Sequence, residues 1–397
     1  MDIQYLRKKI ADVKLNDYLS GFKYVGGLIL KAIVGNRYKN CWLICEEPME
    51  ARDNGYWFYK YLCENTDVQC FYAIDRSSPD YSKIEKMGEI IPFGSVKHWL
   101  IYLSCKYNIS SQKGGKPNAA LCAFLELTDI LKVNNVFLQH GVTISDAKWL
   151  YADRSRFTFF ITATRPETDY IEKHFGYKNG VIQYTGFPRF DNLHRFNVKK
   201  NQILIMPSWR AWFYEKSAQI DSSDSDFLNS EYLKCWREIL SSSVLDELII
   251  TYGLEVIFYP HRNMQQHLDC FRGINSKVKL ASVNEYDVQN LLMSSELLIT
   301  DYSSVFFDMV YMRKPVIFYQ FDEVKFRKQQ YQKGYFDYHN SRFGHFCRTC
   351  DEVMNYLKLC VKNKYKVSEE YMNEHRKVFE KYDNHNSERI YKLLMNN

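Results

Sequence analysis

Short apolar runs alternate with segments of helical period along the whole chain. In the first half the runs are CWLICEE (41–47), VQCFYAID (68–75), NISSQ (108–112), VFLQHG (136–141), FTFFITAT (157–164) and VIQYTG (181–186). In the second they are ILIMPSW (203–209), EVIFYPH (255–261), VKLA (278–281), LLIT (297–300) and PVIFY (315–319). Runs this short, bounded by turn residues, predict buried strands; apolar positions three and four apart, as in GYWFYKYLCEN, SEYLKCWREILSS and SVFFDMVYMRK, predict helices. The alternation predicts an α/β protein with parallel sheets. The polar, basic stretch 191–202 breaks the pattern and divides the chain into Rossmann-like domains over 1–195 and 196–397, with a charged helical tail from Ser368. Ligands of such sheets bind beyond the carboxyl ends of the strands, so two doubly wound domains facing across a cleft predict a site for a nucleotide-linked donor.

The chemistry-bearing residues fall at those strand ends. In LLITDYSSVFFDM a strand to Thr300 meets a helix expected from Val305, and the turn between them offers free backbone N–H groups and the hydroxyls of Ser303 and Ser304. Such a turn is a phosphate site that needs no lysine. Plain helix capping by Asp301 or Ser303 is the equal alternative. VFLQHGV places His140 and Gly141 after one strand, and EVIFYPHRN places His261 and Arg262 after another in the opposite half. Histidine exchanges protons near neutral pH, so this pair is a candidate for acid–base work. ILIMPSWR adds Ser208 and Arg210; arginine matches phosphate bidentately, or pairs with a surface carboxylate. YTGFPRFDN carries Gly186 and Arg189 in a turn with an expected structural role.

Composition narrows the class. The chain of 397 residues is 46% hydrophobic and 25% charged, ordinary for a folded chain of two domains, with a net charge of +6. That mild excess suits phosphate-bearing ligands or an anionic membrane surface and is too weak to argue for nucleic acid. The 11 cysteines are scattered, which predicts a reduced, cytosolic protein; Cys347 and Cys350 form a lone C-x-x-C without the second pair a structural zinc site wants. The charged opening segment does not resemble a secretory leader, and YVGGLILKAIVG (24–35) is too short to span a bilayer. With Lys8, Lys9, Lys14 and Lys23 upstream, the first 40 residues read either as helices lying on a membrane surface or as a domain's first helix. No Gly-x-Gly-x-x-Gly, P-loop or nucleophile elbow occurs. Asp224 and Asp226 sit in a Ser-rich stretch read as a surface loop, so no metal site is written in the sequence, while Mg²⁺ carried by a donor diphosphate fits.

Taken in order, LQHGV, TGFPRFD, PSWR, YPHR and LLITDYSSVFFDMVYMRKPVIFYQFD resemble the CDP-glycerol glycerophosphotransferases, the enzymes of teichoic-acid and capsule polymer synthesis. The resemblance implies a GT-B-like fold and transfer of a polyol phosphate, glycerol or ribitol, from a CDP-polyol to a polysaccharide or lipid-linked hydroxyl, with release of CMP. It implies no tightly bound cofactor and work at the cytoplasmic face of the membrane. The family's two important histidines fall on His140 and His261, and its phosphate-binding serines on Ser303 and Ser304. Ser208, Arg210, Arg262 and Asp301 are the expected donor-side companions; Gly141 and Arg189 are acceptor-side or structural. Val142 stands where relatives often have Thr, and Lys333 in KGYFDY where they have Arg. A nucleotide-sugar glycosyltransferase is the alternative that the same strand-end site would serve.

Overall fold

The computed structural model describes residues 15–195, 198–213 and 225–397. They form two compact units. The first comprises the chain to Val142, Lys148–Asn192 and Asp383–Asn397; the second comprises Thr143–Ala147 and Leu193–Tyr382. The expected division at 195/196 thus falls close to the observed one, but the last helix, Asn386–Met395, belongs to the first unit instead of the second. Its N-terminus is the reason. Asp191 accepts from the N–H groups of Asn386 (2.8 Å) and Ser387 (2.9 Å), and Arg389 Nε donates to Thr185 O (2.7 Å). Gly186 has φ 85°, and a Cβ there would lie 1.7 Å from Asn386 Oδ1. The Thr-Gly-Phe-Pro-Arg turn is therefore built to receive that helix.

The first unit holds seven parallel strands, β1 Trp42–Cys45, β2 Cys70–Ile74, β3 Glu89–Pro92, β4 Tyr107–Ser110, β5 Asn135–Phe137, β6 Phe159–Thr162 and β7 Ile182–Tyr184, in the order β3-β2-β1-β4-β5-β6-β7. The second holds six, β8 Gln202–Met206, β9 Glu255–Phe258, β10 Val278–Leu280, β11 Leu297–Thr300, β12 Val316–Tyr319 and β13 Gly344–Cys347, in the order β10-β9-β8-β11-β12-β13. Both orders are doubly wound, and each has a switch point where the winding reverses: between β1 and β4, and between β8 and β11. Apolar residues fill both faces of the second sheet, with Ile203, Ile205, Phe258, Ile299 and Ile317 packed on Trp236, Leu240 and Val353.

Every strand expected from the sequence is present. The two not anticipated, β3 and β13, lie at sheet edges, where exposed residues such as Glu89 and His345 break up the apolar run. Thr164, Ser95 and Asn118 cap helices with their side chains as their residue types favour. Most of the Ser-rich stretch, Asp224 included, lies outside the described residues, as do Lys8, Lys9 and Lys14. Asp226 stands in a short helix, Ser225–Leu228.

The helix Leu15–Val34 answers the question raised by YVGGLILKAIVG. Its small side packs on the helix Val96–Ser104: a Cβ at Gly27 would come 2.8 Å from Trp99 Cβ, and Tyr24 meets the Trp99 ring at 5.2 Å. Lys31 donates to Leu103 O at the end of that neighbour. Among the described residues no helix is long and apolar enough to cross a membrane.

Candidate active site

In the second unit the loops that follow three neighbouring strands, β9, β8 and β11, leave the same edge of the sheet, because all three strands are parallel. They carry the Pro-His-Arg, Pro-Ser-Trp-Arg and Asp-Tyr-Ser-Ser segments. The switch point between β8 and β11 is closed by a buried carboxylate. Asp301 Oδ1 accepts from the N–H of Ser208 and of Tyr302, both at 2.8 Å. Arg210 supplies the counter-charge. Its Nε and Nη2 grip Asp322 at 2.8 and 3.0 Å, and Nη1 lies 2.8 Å from Asp301 Oδ2, a close ion contact outside hydrogen-bond alignment. Arg210 and Asp301 are wholly buried, and Ser208 nearly so. Burial works against the guanidinium's charge, but Asp301 and Asp322 outweigh it and hold its pKa above the ordinary value.

Ser208, Arg210 and Asp301 thus have a task within the protein: they tie the two loops together, and the Arg210 charge is shared between two aspartates. Tyr302 completes the scaffold: its hydroxyl donates to Asp322 Oδ1 (3.1 Å), and its ring stacks on Phe326 at 3.8 Å.

Ser303 and Ser304 come next and are half-exposed. The helix beyond them begins at Phe306, one residue later than expected, and runs only to Tyr311. So short a helix has little macrodipole, and the anion-binding capacity rests on the turn's own donors. Ser303 Oγ lies 3.4 Å from the N–H of Val305, a weak cap. Among the described residues no acceptor takes the N–H of Ser303 or Ser304. The turn thus holds a weak cap on one group and, among the described residues, two N–H groups left untaken.

His261 lies three residues beyond the end of β9. Its own N–H donates to Pro207 O (2.9 Å), and its ring faces Trp209 at 6.3 Å and 28°. Nδ1 accepts from the N–H of Asn263 (3.2 Å), so Nδ1 carries no proton. Arg262 beside it is exposed.

Sequence reasoning missed Arg327, in the helix Glu323–Gln329. Its guanidinium lies 5.8 Å from the rings of Tyr302, Phe326 and Tyr338. Among the described residues it has no carboxylate or hydrogen-bond partner, and its Nε is buried without one. It is a cation held by aromatic faces beside the Tyr-Ser-Ser turn. Spacing does not separate Arg327 from Lys325 or Lys328; only the fold does.

In the first unit His140 lies three residues past β5. Gln139 turns the chain there with φ 59°, held by its amide to Ile161 O (2.7 Å) and Glu167 Oε1 (3.0 Å). Arg189 is buried and bonds the loop from below: Nη1 reaches His140 O (2.8 Å) and Asp53 Oδ1 (3.0 Å). Asn54 bridges the same parts, from Gln139 O (2.7 Å) to the N–H of Arg189 (3.1 Å). Arg189 thus fixes the peptide that carries the histidine. The imidazole has a solvent-facing side, while Gly141 is half-buried. Desolvation first, and the Arg189 charge second, push the His140 pKa down to about 4. The imidazole is therefore neutral at pH 7. The Lys333–Gly334 segment has its own task. Lys333 bridges to Ser145, and a Cβ on Gly334 would meet Ile144 O at 2.4 Å.

Two doubly wound parallel units with C-terminal helices make this a GT-B-like α/β protein. The chain belongs to the CDP-glycerol:poly(glycerophosphate) glycerophosphotransferase family, whose model matches residues 29–396. It is 29% identical over 364 residues to the minor teichoic acid biosynthesis protein GgaB of Bacillus subtilis (strain 168), covering 90% of this chain and 40% of that one. It therefore spans about two fifths of that relative's length. It is 24% identical over 325 residues to a teichoic acid poly(glycerol phosphate) polymerase of Bacillus spizizenii, covering 75% and 77% of the two chains. A solved structure of the wall teichoic acid polymerase TagF superposes with a TM-score of 0.64 at 17% identity, covering 97% of this chain and 98% of that one. The UDP-GlcNAc 2-epimerase of Methanocaldococcus jannaschii, solved with UDP-GlcNAc and UDP, shares the fold at a TM-score of 0.55 and 13% identity.

Proposed function

We propose that this protein transfers a polyol phosphate, glycerol or ribitol phosphate, from a CDP-polyol to a hydroxyl of a teichoic-acid-type polymer, releasing CMP. Family membership sets the reaction class. The observation that carries the site is the Tyr-Ser-Ser turn at the second unit's switch point, with two untaken backbone N–H groups, two hydroxyls and the Arg327 cation. The donor diphosphate binds there, with Arg262 as a further cation. His261 donates Nε2–H to the phosphate that leaves as CMP. His140, neutral at pH 7, takes the proton of the acceptor hydroxyl as it attacks phosphorus. Positioning and charge stabilisation suffice for such a transfer, without a covalent intermediate. Mg²⁺ enters only as a companion of the donor diphosphate, because Asp301 and Asp322 already bind Arg210.

His140→Ala is expected to lower turnover about 10²–10⁴-fold, the usual contribution of a general base, with donor affinity unchanged. CMP release from CDP-glycerol and CDP-ribitol, set against UDP or GDP release from sugar nucleotides, tests the reading. Release from a sugar nucleotide alone would replace it with glycosyl transfer. An unaltered rate in His140→Ala would remove His140 as the base. Anionic phosphates raise a histidine pKa. The acid limb of kcat, which reports the loaded enzyme, is therefore expected at higher pH than that of kcat/KM, which reports the free enzyme near pH 4.

The acceptor is lipid-linked in this reading, and the protein works on the inner face of the membrane. The support is the helix Leu15–Val34, whose outer side exposes Tyr18, Phe22, Val25, Ile29 and Ile33, with Lys23, Arg37 and Lys39 exposed nearby. An apolar stripe flanked by cations suits the interface of an anionic bilayer. Phe22→Ser with Ile33→Ser is expected to abolish co-sedimentation with phosphatidylglycerol vesicles while leaving the fold intact. Undiminished co-sedimentation would remove this helix as the anchor.

A further inference from the structure

Away from the site, the end of the helix Asn54–Asn65 and the start of β2 bring two thiols together. Cys63 Sγ and Cys70 Sγ are 3.9 Å apart. Cys63 is half-buried and Cys70 is buried, and both are reduced. Gly88 borders the pair: a Cβ there would stand 3.3 Å from Cys63 Sγ and 2.5 Å from Tyr59 Oη, so its missing side chain leaves room beside the thiol. Cys63 lies two residues before the helix end, where the chain yields most easily.

The lone C-x-x-C of the sequence is a different case. Cys347 and Cys350 are both buried, and burial pushes their thiols up to about 12 and about 11. The remaining cysteines outside the Cys63–Cys70 pair are raised by burial as well. Cys63 alone is held below the ordinary thiol range, first by the hydrogen bond from Cys70 and then, against desolvation, by that of Tyr59. The thiolate is the nucleophile in thiol oxidation, so it gathers where a donor stabilises it and a reagent can reach it.

We propose that Cys63 and Cys70 are a hydroperoxide-responsive dithiol, with Cys63 as the attacking thiol and Cys70 as the resolving one. In the first step the Cys63 thiolate attacks one peroxide oxygen, the O–O bond breaks, and the leaving hydroxide takes a proton to become water. Cys63 is then a sulfenic acid, oxidised by two electrons. In the second step Cys70 sulfur attacks Cys63 sulfur, the S–O bond breaks, and the Cys70 proton leaves with the hydroxide as a second water. The product is an intramolecular disulfide, which a cellular thiol reverses by exchange. Closing the pair brings the two sulfurs from 3.9 Å to a bond of about 2.05 Å.

The test treats the full-length protein with stoichiometric hydrogen peroxide, blocks the remaining thiols and maps peptides by mass. The expected result is a Cys63–Cys70 peptide pair lighter by about 2 Da and restored by dithiothreitol. Cys70→Ala removes the resolving thiol, and dimedone is then expected to trap a sulfenic acid at Cys63. Cys63→Ser is expected to leave Cys70 unoxidised. The proposal is overturned if Cys63 reacts no faster than the half-buried Cys235, Cys270 and Cys360. It is equally overturned if the wild type forms no Cys63–Cys70 bond.

Discussion

The two units reverse their winding in the same way and fill the reversal differently. In the first, Glu46 follows β1 and is buried. Its oxygens accept from the N–H of Gly55 (2.7 Å), Tyr56 (3.1 Å) and Arg52 (3.2 Å), and from the hydroxyls of Ser111 (2.8 Å) and Tyr72 (2.9 Å). Burial pushes this carboxyl up, against hydrogen bonds that favour its charged form. The start of the helix Asn54–Asn65, the natural anion site of that unit, is occupied by the protein's own carboxylate. In the second unit the carboxylate is Asp301, its partner is a guanidinium, and the N–H groups of Ser303 and Ser304 remain untaken. One architecture thus gives one switch point whose helix start is taken by the protein's own carboxylate and one beside which two N–H groups stay untaken among the described residues.

Breaking either seal is expected to have the largest effect. Glu46→Ala leaves several buried donors without an acceptor, at about 1–3 kcal/mol each. Asp301→Ala leaves Arg210 with half its counter-charge, a loss of about 3–5 kcal/mol. Urea unfolding measures both, and a wild-type midpoint for either variant would show that its carboxylate is no strut. Opening the second site further has a different signature. Ser303→Ala with Ser304→Ala is expected to weaken donor binding about 10–100-fold, from hydrogen bonds to a charged group worth about 1.5–3 kcal/mol, at unchanged stability. Arg327→Gln is expected to act in the same direction and more weakly. Titration calorimetry with CDP-glycerol separates these from the seal variants, which fail by unfolding.

A further expectation concerns acid. His98 and His375 are buried, and desolvation lowers their pKa values to about 3 and about 4. Between those values and the unfolded value near 6.5 the unfolded chain binds more protons, so stability rises with pH through that window and is flat above it. The unfolding midpoint is expected to fall as pH drops from about 6.5 to about 4. His98→Gln with His375→Gln should flatten that slope; an unchanged slope would assign acid sensitivity to the carboxylates instead.

How much of this the sequence disclosed follows from what a residue's neighbours must be. Strands buried on both faces announced themselves as apolar runs, and the edge strands β3 and β13 did not. The order of strand-end motifs located both histidines and the serine turn. It could not tell an arginine facing solvent from one sealed between two aspartates, because Asp322 lies 112 residues from Arg210 and meets it only in the folded sheet. Glu46 was hidden for the same reason, since its partners come from three separate stretches of the chain. Arg327 carries no pattern of its own, and Trp209 was legible only as part of a motif until its ring was found against His261.

The central claim is that donor phosphates take the free N–H groups of the second switch point and leave the first alone. Amide resonances of protein labelled with ¹⁵N at serine, glycine and tyrosine, followed during titration with CDP-glycerol, test it most directly. The Ser303 and Ser304 signals are expected to move with saturation while those of Gly55 and Tyr56 stay fixed. Shifts at Gly55 and Tyr56 with a silent Ser303–Ser304 pair, under conditions where the donor binds, would contradict it.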